Sequence, residues 1–402
     1  MSSLRPRITD EQRRARLGRR HLLSPAHRVT AVEDVADALV GLHATDAATV
    51  YLSACARLVE PSTAEVERGL YDDVTLVKLL SMRRTIFAVS SGLAPYVDAS
   101  TARAIAARER AAFLKFLQQG TEGSWDEQRL ARTEREVLAA LAARGEATTA
   151  ELAKDVPALR ETILVSAGKP YAARQSVGSR LLRLLASDGH VRRSRPRGSW
   201  TSSMYAWAPV DQLPELPVRE SKAEVARRWL ASFGPATEAD LKWWTGWTLG
   251  DTRRALADVG ARNVELAHGP GFVLPDDLED VEPAEPWAAL LPGLDPTAMG
   301  WRDRDWYLSP DHVPALFDRA GNIGPTVWWN GRVVGGWAQR PDGEIAWRLL
   351  SDAGTDAASA IEAEAARLSS WLGEVRVTPR FRTPLERELV GWRGGVLNRR
   401  TG

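Results

Sequence analysis

The sequence contains a single cysteine, Cys55. One thiol excludes an intramolecular disulfide, and it equally excludes a zinc site built mainly from cysteines. Cys55 lies between Ala54 and Ala56 in an apolar stretch, so we expect it to be a small buried core residue. Because nothing in the sequence calls for an oxidising compartment, we expect a cytoplasmic protein.

Long hydrophobic runs and glycine-rich nucleotide motifs are absent as well. No run approaches the roughly 18 apolar residues that a membrane-spanning helix needs, and residues 1–23 lack the apolar core of a secretory signal. Neither a phosphate-binding loop nor a dinucleotide-binding glycine pattern occurs. His190, His268 and His312 are scattered without the spacing of metal ligands. We therefore expect no membrane segment, no metal and no cofactor.

Positive and negative charges are nearly balanced, with 53 basic and 52 acidic side chains in 402 residues. A net charge of +1 says little about partners, so local charge clusters matter more. The chain is too long for one compact core. We predict an α+β protein with tandem winged-helix modules at 126–215 and 216–285. They are flanked by an N-terminal helical or winged-helix unit at 1–125 and a C-terminal β-rich unit at 286–402.

The N-terminal unit is predicted to be mainly helical. Apolar spacing predicts helices over 8–23, 32–43, 49–58, 64–82 and 101–120. Thr9 or Asp10 is a suitable N-cap for the first helix, and Gly120 is a suitable end for the last. The segment 83–90 is short, β-branched and aromatic, which predicts a strand.

The second unit carries the clearest pattern in the sequence. Helices are predicted over 131–145, 148–156 and 175–191. The segment 190–210 then alternates and turns around Pro196, Arg197 and Gly198, which predicts a β-hairpin. Three helices followed by a basic hairpin are typical of a winged helix-turn-helix.

The third unit repeats this order of elements. "GEATTAELA" at 145–153 and "GPATEADLK" at 234–242 share the same pattern, and each follows a predicted helix. Helices over 221–234, 236–247 and 248–260 precede a hairpin that is predicted to turn around residues 269–271. Such an internal repeat supports tandem winged-helix modules.

The last unit is predicted to be rich in strands. An acidic linker at 276–287 precedes it, and Asn330-Gly331 lies between β-branched and aromatic runs, as in a tight hairpin. Further strands are predicted at 343–350 and 374–379, with an amphipathic helix at 355–373. In the tryptophan pairs of the last two units, we expect one ring to pack inward and the other to lie near the surface.

Arginines cluster where a winged helix contacts DNA. The hairpin carries Arg192, Arg193, Arg195 and Arg197 beside Trp200. Arginines on a hairpin can contact phosphates or enter a groove. The third helix of the second unit adds residues suited to phosphates or base edges, namely Gln175, Ser176, Ser179, Arg180 and Arg183. The alternatives are a solvated turn, an exposed helix face, or a module that binds protein.

A polar corner interrupts the apolar stretch "GLHATDAATVYLSACARL" at residues 41–58. It consists of His43, Thr45 and Asp46. In one interpretation it is a turn in which Thr45 or Asp46 caps the next helix. In the other it is the edge of a catalytic site. Arg83 and Arg84 are candidates for phosphate contacts or, alternatively, part of a charged face.

Four segments together resemble one protein family. They are "GLHATDAATVYLSACARL", "LVKLLSMRRTIFAVS", "LLPGLDPTAMGWRDRD" and "WNGRVVGGW". They are similar to segments of the bacterial tandem-winged-helix DNA glycosylases of the AlkZ and YcaQ type, and the order of elements matches over nearly the whole chain. The resemblance implies duplex DNA as partner and excision of bulky N-alkylated purines, in some members with unhooking of interstrand crosslinks. It also implies that full extrusion of the base from the duplex is not required.

The resemblance assigns the catalytic cleft to one triplet. Family members carry Gln-apolar-Gln or Gln-apolar-Asp, where this chain has His43-Ala44-Thr45 followed by Asp46. An N-alkylated purine leaves easily as a cationic base, so the enzyme must stabilise an oxocarbenium ion and place a water. A neutral His43 and the Thr45 hydroxyl can each hold that water, and Asp46 can supply negative charge or act as a base.

Two other hypotheses remain open. One is a non-enzymatic winged-helix DNA-binding protein such as a transcription regulator, although a regulator usually has a dimerisation element. No heptads are present, and we expect a monomer. The other is a relative that recognises lesions without catalysis, because both ends of the triplet differ from the family pattern.

Overall fold

The computed structural model describes residues 6–120, 125–165, 173–379 and 382–391. Its N-terminal part combines short helices with a three-stranded antiparallel sheet in the order β1-β3-β2. The helices are α1 (Asp10–Arg20), α2 (Val32–Ala38), α3 (Ala47–Cys55), α4 (Thr63–Glu67), α5 (Ala94–Val97) and α6 (Arg103–Gly120), and the strands are β1 (Leu42–His43), β2 (Leu76–Ser81) and β3 (Thr85–Ser90). Thr9 caps α1, because its hydroxyl accepts a hydrogen bond from the N–H of Gln12 at 3.2 Å.

The helix predicted over 64–82 is wrong in its second half. Only α4 and a π-helical turn at Arg68–Asp72 are helical, and the chain then forms strand β2. β2 pairs with β3 from Leu76↔Ser90 to Ser81↔Thr85. Pairing with a neighbouring strand therefore outweighs the helical spacing of the apolar residues. The predicted strand at 83–90 is confirmed from Thr85 onward, whereas Arg83 and Arg84 lie in a turn with positive φ.

The described residues of the second unit form three α-helices and two antiparallel strand pairs. The elements are α7 (Glu127–Arg144), α8 (Thr149–Asp155), α9 (Val177–Ser187), β4 (Thr162–Val165), β5 (Ala173–Ser176), β6 (Val191–Arg193) and β7 (Trp207–Pro209). The predicted third helix is wrong at its start, because Gln175 lies in β5 opposite Ile163. Helix α9 begins at Val177, and the Ser176 hydroxyl caps it by accepting a hydrogen bond from the N–H of Ser179. We call residues 191–209, which include β6 and β7, the wing.

The third unit repeats the three helices and the final strand pair of the second, without a counterpart of the β4-β5 pair among the described residues. Its elements are α10 (Val218–Phe233), α11 (Glu238–Thr245), α12 (Leu249–Asp258), β8 (Arg262–Leu266) and β9 (Gly269–Val273). A capping box joins Thr148 to Glu151 at the start of α8 and Thr237 to Asp240 at the start of α11. The preceding residue bridges to a hairpin strand in both units, Ala147 to Trp207 and Ala236 to Phe272. The repeated sequence thus forms the same capped helix start in both units. It also places one residue, Ala147 or Ala236, as a third strand position beside the hairpin.

The turn of the third hairpin lies earlier than predicted. Residues 267–268 form a two-residue turn, and Gly269–Val273 is strand β9. Gly271 pairs with Val264 in the ladder, and an added Cβ there would lie 2.5 Å from a Leu266 methyl carbon. The glycine at 271 is therefore explained by close packing within the hairpin.

The C-terminal part is built on a four-stranded antiparallel sheet in the order β10-β11-β12-β13. The strands are β10 (Ala288–Leu291), β11 (Thr326–Trp329), β12 (Arg332–Gln339) and β13 (Ile345–Leu349), and the helices are α13 (Val313–Leu316), α14 (Gly354–Leu372) and α15 (Pro384–Gly391). The hairpin predicted at Asn330-Gly331 is confirmed, with φ of +45° and +81° at these two residues.

The strand predicted at 374–379 does not form. The backbone there bonds to one side chain instead of a strand, since the Gln339 amide donates to the Val375 carbonyl at 2.9 Å and accepts from the Val377 N–H at 2.8 Å. A side-chain amide thus satisfies backbone groups that a strand partner would otherwise satisfy.

Two hydrophobic cores join the ends of the chain. One contains residues of α2 and α3 together with residues of the C-terminal sheet and α14. The other combines β2 and β3 with α10, α11 and the C-terminal strands, whereas the second unit and the end of α6 form a third core. Trp244 and Trp328 are buried while Trp243 and Trp329 are only partly buried, as predicted. Cys55 is also buried, and burial raises the pKa of its thiol to about 11.

The mixture of helices and antiparallel sheets is an α+β fold, as predicted. Within the described ranges, no helix combines the length and the apolar character needed to span a membrane.

Candidate active site

A cavity of about 770 Å³ opens where three parts of the chain meet. The polar corner of His43, Thr45 and Asp46 lines it from the first unit. Arg193, Ser194 and Tyr205 line it from the wing. The C-terminal unit supplies residues to the remaining wall from several segments between 292 and 390. A volume of this size is in the range of sites that hold drug-sized ligands.

His43 is held at the edge of the N-terminal sheet. It pairs with Phe87 in the β1-β3 ladder, and its ring meets the Phe87 ring edge-on at 5.7 Å between centroids. The side chain is only 4% exposed, and Nδ1 has no hydrogen-bond partner within the described residues. Burial, assisted by the charge of Arg83, lowers the pKa of His43 to about 4. The imidazole is therefore neutral near neutral pH.

Thr45 and Asp46 follow directly at the start of α3. Thr45 is exposed to the cavity, and Asp46 is partly buried. Asp46 is the N-cap of α3, because its Oδ1 accepts a hydrogen bond from the N–H of Ala48 at 3.1 Å. The capping interpretation of Asp46 is therefore confirmed. Asp46 also lines the cavity, and its catalytic role stays a prediction.

A buried ion pair fixes α3 to the C-terminal unit. Arg57 and Asp295 are both fully buried, with Nη2–Oδ1 and Nη1–Oδ2 distances of 2.7 and 2.9 Å. The Ser53 hydroxyl donates to the same carboxylate at 2.7 Å, and the Arg57 charge holds the pKa of Asp295 below its usual value. Asp295 directly follows cavity residues Gly293 and Leu294, so this pair holds two walls of the cavity together.

The four wing arginines have different environments. The guanidinium of Arg193 lies 4.6 Å from the centre of the Tyr205 ring in the cavity wall. Arg195 pairs with Glu67 and with Asp72, the latter at 2.6 Å, and so ties the wing to the first unit. Arg197 is 52% exposed, with Glu151 at 3.8 Å. Arg192 is partly buried, and its Nη1 has no partner within the described residues.

The arginines of α9 lie outside the cavity wall. The Nε of Arg180 donates to Gln175 Oε1 at 3.1 Å, and its guanidinium lies over the Phe116 ring at 4.5 Å. Arg183 is exposed, and its Nε donates to the Ser179 carbonyl at 3.0 Å. These side chains form a polar face on α9 opposite its buried leucines.

Arg83 and Arg84 do not line the cavity either. The guanidinium of Arg83 lies 4.0 Å from the centre of the Trp243 ring, and that of Arg304 lies 5.1 Å from the same ring. Burial and the charge of Arg304 lower the pKa of Arg83 to about 10, so it stays charged. Arg84 is 71% exposed and pairs with Glu109.

Several lining residues were not identified from the sequence. Lys78 lies on β2, in the segment that was predicted as a helix, and its Nζ donates to the Tyr71 hydroxyl at 3.0 Å. Asp318 and Glu386 lie on the C-terminal wall, and burial raises the pKa of Glu386. The β-branched residues beside Lys78 would have indicated a strand, but nothing local in the sequence relates residues 318 and 386 to the polar corner.

This arrangement suits the hydrolysis of a bond to a cationic leaving group. A neutral imidazole, a hydroxyl and a carboxylate lie within four residues of one another on one cavity wall. The imidazole and the hydroxyl can orient a water, and the carboxylate can stabilise positive charge that develops on a sugar. Arg193 of the wing adds a positive charge to the cavity wall, which suits contact with a phosphate group.

Comparison with solved structures supports the fold. The Streptomyces sahachiroi DNA glycosylase AlkZ superposes with a TM-score of 0.69, covering 92% of this chain and 98% of that one at 23% identity. A curated Streptomyces sahachiroi protein, named interstrand DNA cross-link repair glycosylase, is 30% identical over 172 residues. That match spans 40% of this chain and about half, 46%, of the relative.

The family model described as DNA glycosylase AlkZ-like matches residues 36–371, from α2 to the end of α14. This range includes the polar corner, the wing and most of the C-terminal wall of the cavity. The chain therefore belongs to the AlkZ-like family of DNA glycosylases.

Proposed function

We propose that this protein hydrolyses the N-glycosidic bond of bulky N-alkylated purines in duplex DNA and acts as a monomer. The observation that carries the proposal is the position of His43, Thr45 and Asp46 together in a cavity bordered by an arginine-bearing wing. Family membership supports the reaction class, hydrolysis of an N-glycosidic bond. The chemical nature of the three cavity residues supports the role that we propose for each.

The three residues divide the chemistry between them. His43 and Thr45 orient the attacking water, which the neutral imidazole can do without adding positive charge next to the oxocarbenium ion. Asp46 supplies the negative charge that stabilises this ion, and it accepts the proton of the water. The departing base needs no protonation, because N-alkylation already makes it a cation.

We propose that DNA is gripped by tandem winged-helix modules at 126–215 and 216–285, between the units at 1–125 and 286–402. The paired capping boxes and the matching third strand in the two modules support this division. The cations proposed to contact the phosphate backbone or the grooves are Arg83, Arg84, Arg180, Arg183, Arg192, Arg193, Arg195 and Arg197, with Gln175 beside Arg180. Arg183 and Arg197 are exposed. Arg195 is exposed as well, but it must first release Glu67 and Asp72.

Interstrand crosslinks are proposed as further substrates. The named activity of the curated Streptomyces sahachiroi relative motivates this extension. A cavity of about 770 Å³ with an open mouth offers more room than a normal nucleobase needs, which favours large adducts.

The experiment that tests the proposal follows product release. Purified protein is incubated with duplexes carrying N7-alkylguanine, N3-alkyladenine or an interstrand crosslink, and free base and abasic sites are quantified. We expect release by the wild type and losses in His43→Ala, Thr45→Ala and Asp46→Ala. Thr355→Ala, an exposed change near the start of α14, is the matched control. Tight binding of the duplex without base release would favour a non-enzymatic DNA-binding protein. Undiminished base release by all three variants would show that residues other than His43, Thr45 and Asp46 catalyse the reaction.

A further inference from the structure

Lys78 contributes an amine to the cavity that base excision does not use. It lies on β2 and pairs with Ala88 of β3. Strand β3 also pairs with β1, which carries His43 of the polar corner. Its Nζ donates to the Tyr71 hydroxyl at 3.0 Å and lies 4.8 Å from the centre of that ring. In the part of the chain that the structure describes, no carboxylate lies within ion-pair distance of this amine.

The chain has six lysines, and five of them lie in the described ranges. Among those five, only Lys78 lines the cavity. Burial, assisted by the charges of Arg193 and Arg192, lowers the pKa of its ammonium to about 7. A large fraction of Lys78 is therefore the free amine near neutral pH, which an ordinary lysine with a pKa of about 10.4 is not.

We propose that Lys78 is the nucleophile of a second activity, a β-lyase that cleaves the DNA strand at the abasic site. The proposal rests on the proposed function, since base excision creates the abasic sugar in the same cavity. It follows from the position on the cavity wall of an amine that has no ion-pair partner among the described residues, with Arg193 in the same wall to suit a phosphate leaving group.

The reaction needs only the DNA and water. The Lys78 nitrogen attacks C1′ of the ring-opened sugar aldehyde, and loss of water from the adduct gives an iminium ion. The C2′ proton then passes to water. The electrons of that C–H bond form the C2′–C3′ double bond, the C3′–O bond breaks, and the 3′ phosphate leaves beside Arg193. Water hydrolyses the imine and restores the amine.

A purely electrostatic role for Lys78 fits the surroundings less well. A lysine that is kept for its charge is stabilised by carboxylates, whereas here burial and two arginines disfavour the charged form. The hydrogen bond to Tyr71 orients the amine without neutralising it. Lysines in such environments are the ones that serve as Schiff-base nucleophiles.

The test traps the imine on DNA whose abasic site was made beforehand. A uracil-containing duplex is treated with a separate uracil glycosylase and then incubated with the full-length protein and sodium cyanoborohydride. We expect a covalent complex in denaturing gels with the wild type and with Lys115→Ala, which changes an exposed lysine on α6 and serves as control. Lys78→Arg, which keeps the charge, and Lys78→Ala should lose the complex at least 100-fold.

Peptide mapping of the wild-type complex makes the result independent of any variant's folding. Trypsin should give a modified peptide spanning residues 69–83, with the reduced sugar on Lys78. The trapping rate should level off above about pH 8, where that of an ordinary lysine keeps rising about tenfold per pH unit. Saturated binding of the abasic duplex without trapping, or an adduct on another residue, would overturn the proposal. If trapping occurs but alkylated duplexes release no base, the proposed excision activity fails while the lyase stands.

Discussion

His43 couples the chemistry of the cavity to the pH dependence of stability. Its pKa is about 4 in the folded protein, against an ordinary value of about 6.5. The unfolded chain therefore binds a proton that the folded site rejects, so the free energy of unfolding falls as the pH drops below about 6.5.

We expect His43→Gln to remove this part of the pH dependence. Relative to His43→Gln, the wild type should lose about 2 kcal/mol of stability between neutral pH and about pH 5. Urea denaturation of both proteins at the two pH values measures the difference. His21, which is also buried with a lowered pKa, remains in both proteins and so cancels. An equal loss of unfolding free energy in the two proteins between the two pH values would contradict the assignment of a buried, neutral His43 imidazole.

Asp46 serves the helix and the cavity at once, and two substitutions separate these roles. Asparagine caps a helix about as well as aspartate but carries no charge. Asp46→Asn should therefore unfold within about 0.5 kcal/mol of the wild type and still release base at least tenfold more slowly. Asp46→Ala should lose about 1 kcal/mol of stability as well. Thermal melts and single-turnover assays distinguish the two, and normal activity in Asp46→Asn would limit Asp46 to capping.

At the scale of elements, the Arg57–Asp295 pair holds α3 against the C-terminal wall. Both side chains are fully buried, so removing one leaves the other charge without compensation. We expect Asp295→Ala to lower the free energy of unfolding by about 3–5 kcal/mol, measured by chemical denaturation. Ser53→Ala, which removes only one donor to the same carboxylate, is the milder control and should lower it by about 1–3 kcal/mol. If the two variants lost the same free energy of unfolding, the Arg57–Asp295 pair would not be the main contact that holds α3 against the C-terminal wall.

The proposed DNA-binding arginines should contribute differently to duplex binding, because some are paired with carboxylates in the structure and others are exposed. Arg183 and Arg197 are exposed, so replacing either with alanine should weaken duplex binding and reduce the slope of log K against log salt by about one. The control is Arg219→Ala, which should leave the slope unchanged. Arg219 is an exposed arginine at the start of α10, and it pairs with Asp258 at the end of α12. Fluorescence anisotropy over a salt series provides the measurement. An unchanged slope in both Arg183 and Arg197 variants would place the duplex elsewhere.

Some elements were predictable from the sequence because local chemistry fixes them. The two capping boxes, the Asn330-Gly331 hairpin and the α14 helix all follow from short-range rules. Strand β2 was not predictable from periodicity, because its partner β3 decides its state. The same holds for residues 374–379, where the Gln339 side chain satisfies the backbone. Gln175 was displaced from α9 by the β4-β5 pairing.

At the scale of the whole molecule, the cavity depends on contacts between distant parts of the chain. Its lining residues come from the ranges 43–85, 193–205 and 292–390. Two shared cores bring the N-terminal and C-terminal parts together. The residue types of the polar corner and the family resemblance predict a site there, and the structure places these residues on the cavity wall. Lys78 and Glu386 could not, because only the folded chain brings them to the same cavity as His43.

The central claim is that the polar corner performs base excision. The most direct test is the single-turnover rate of base release by Thr45→Val, because Thr45 is exposed in the cavity and valine nearly preserves its shape. We predict that the rate falls at least about 100-fold while the dissociation constant for the damaged duplex changes by less than about threefold. A rate within about threefold of the wild type at equal affinity would contradict the assignment.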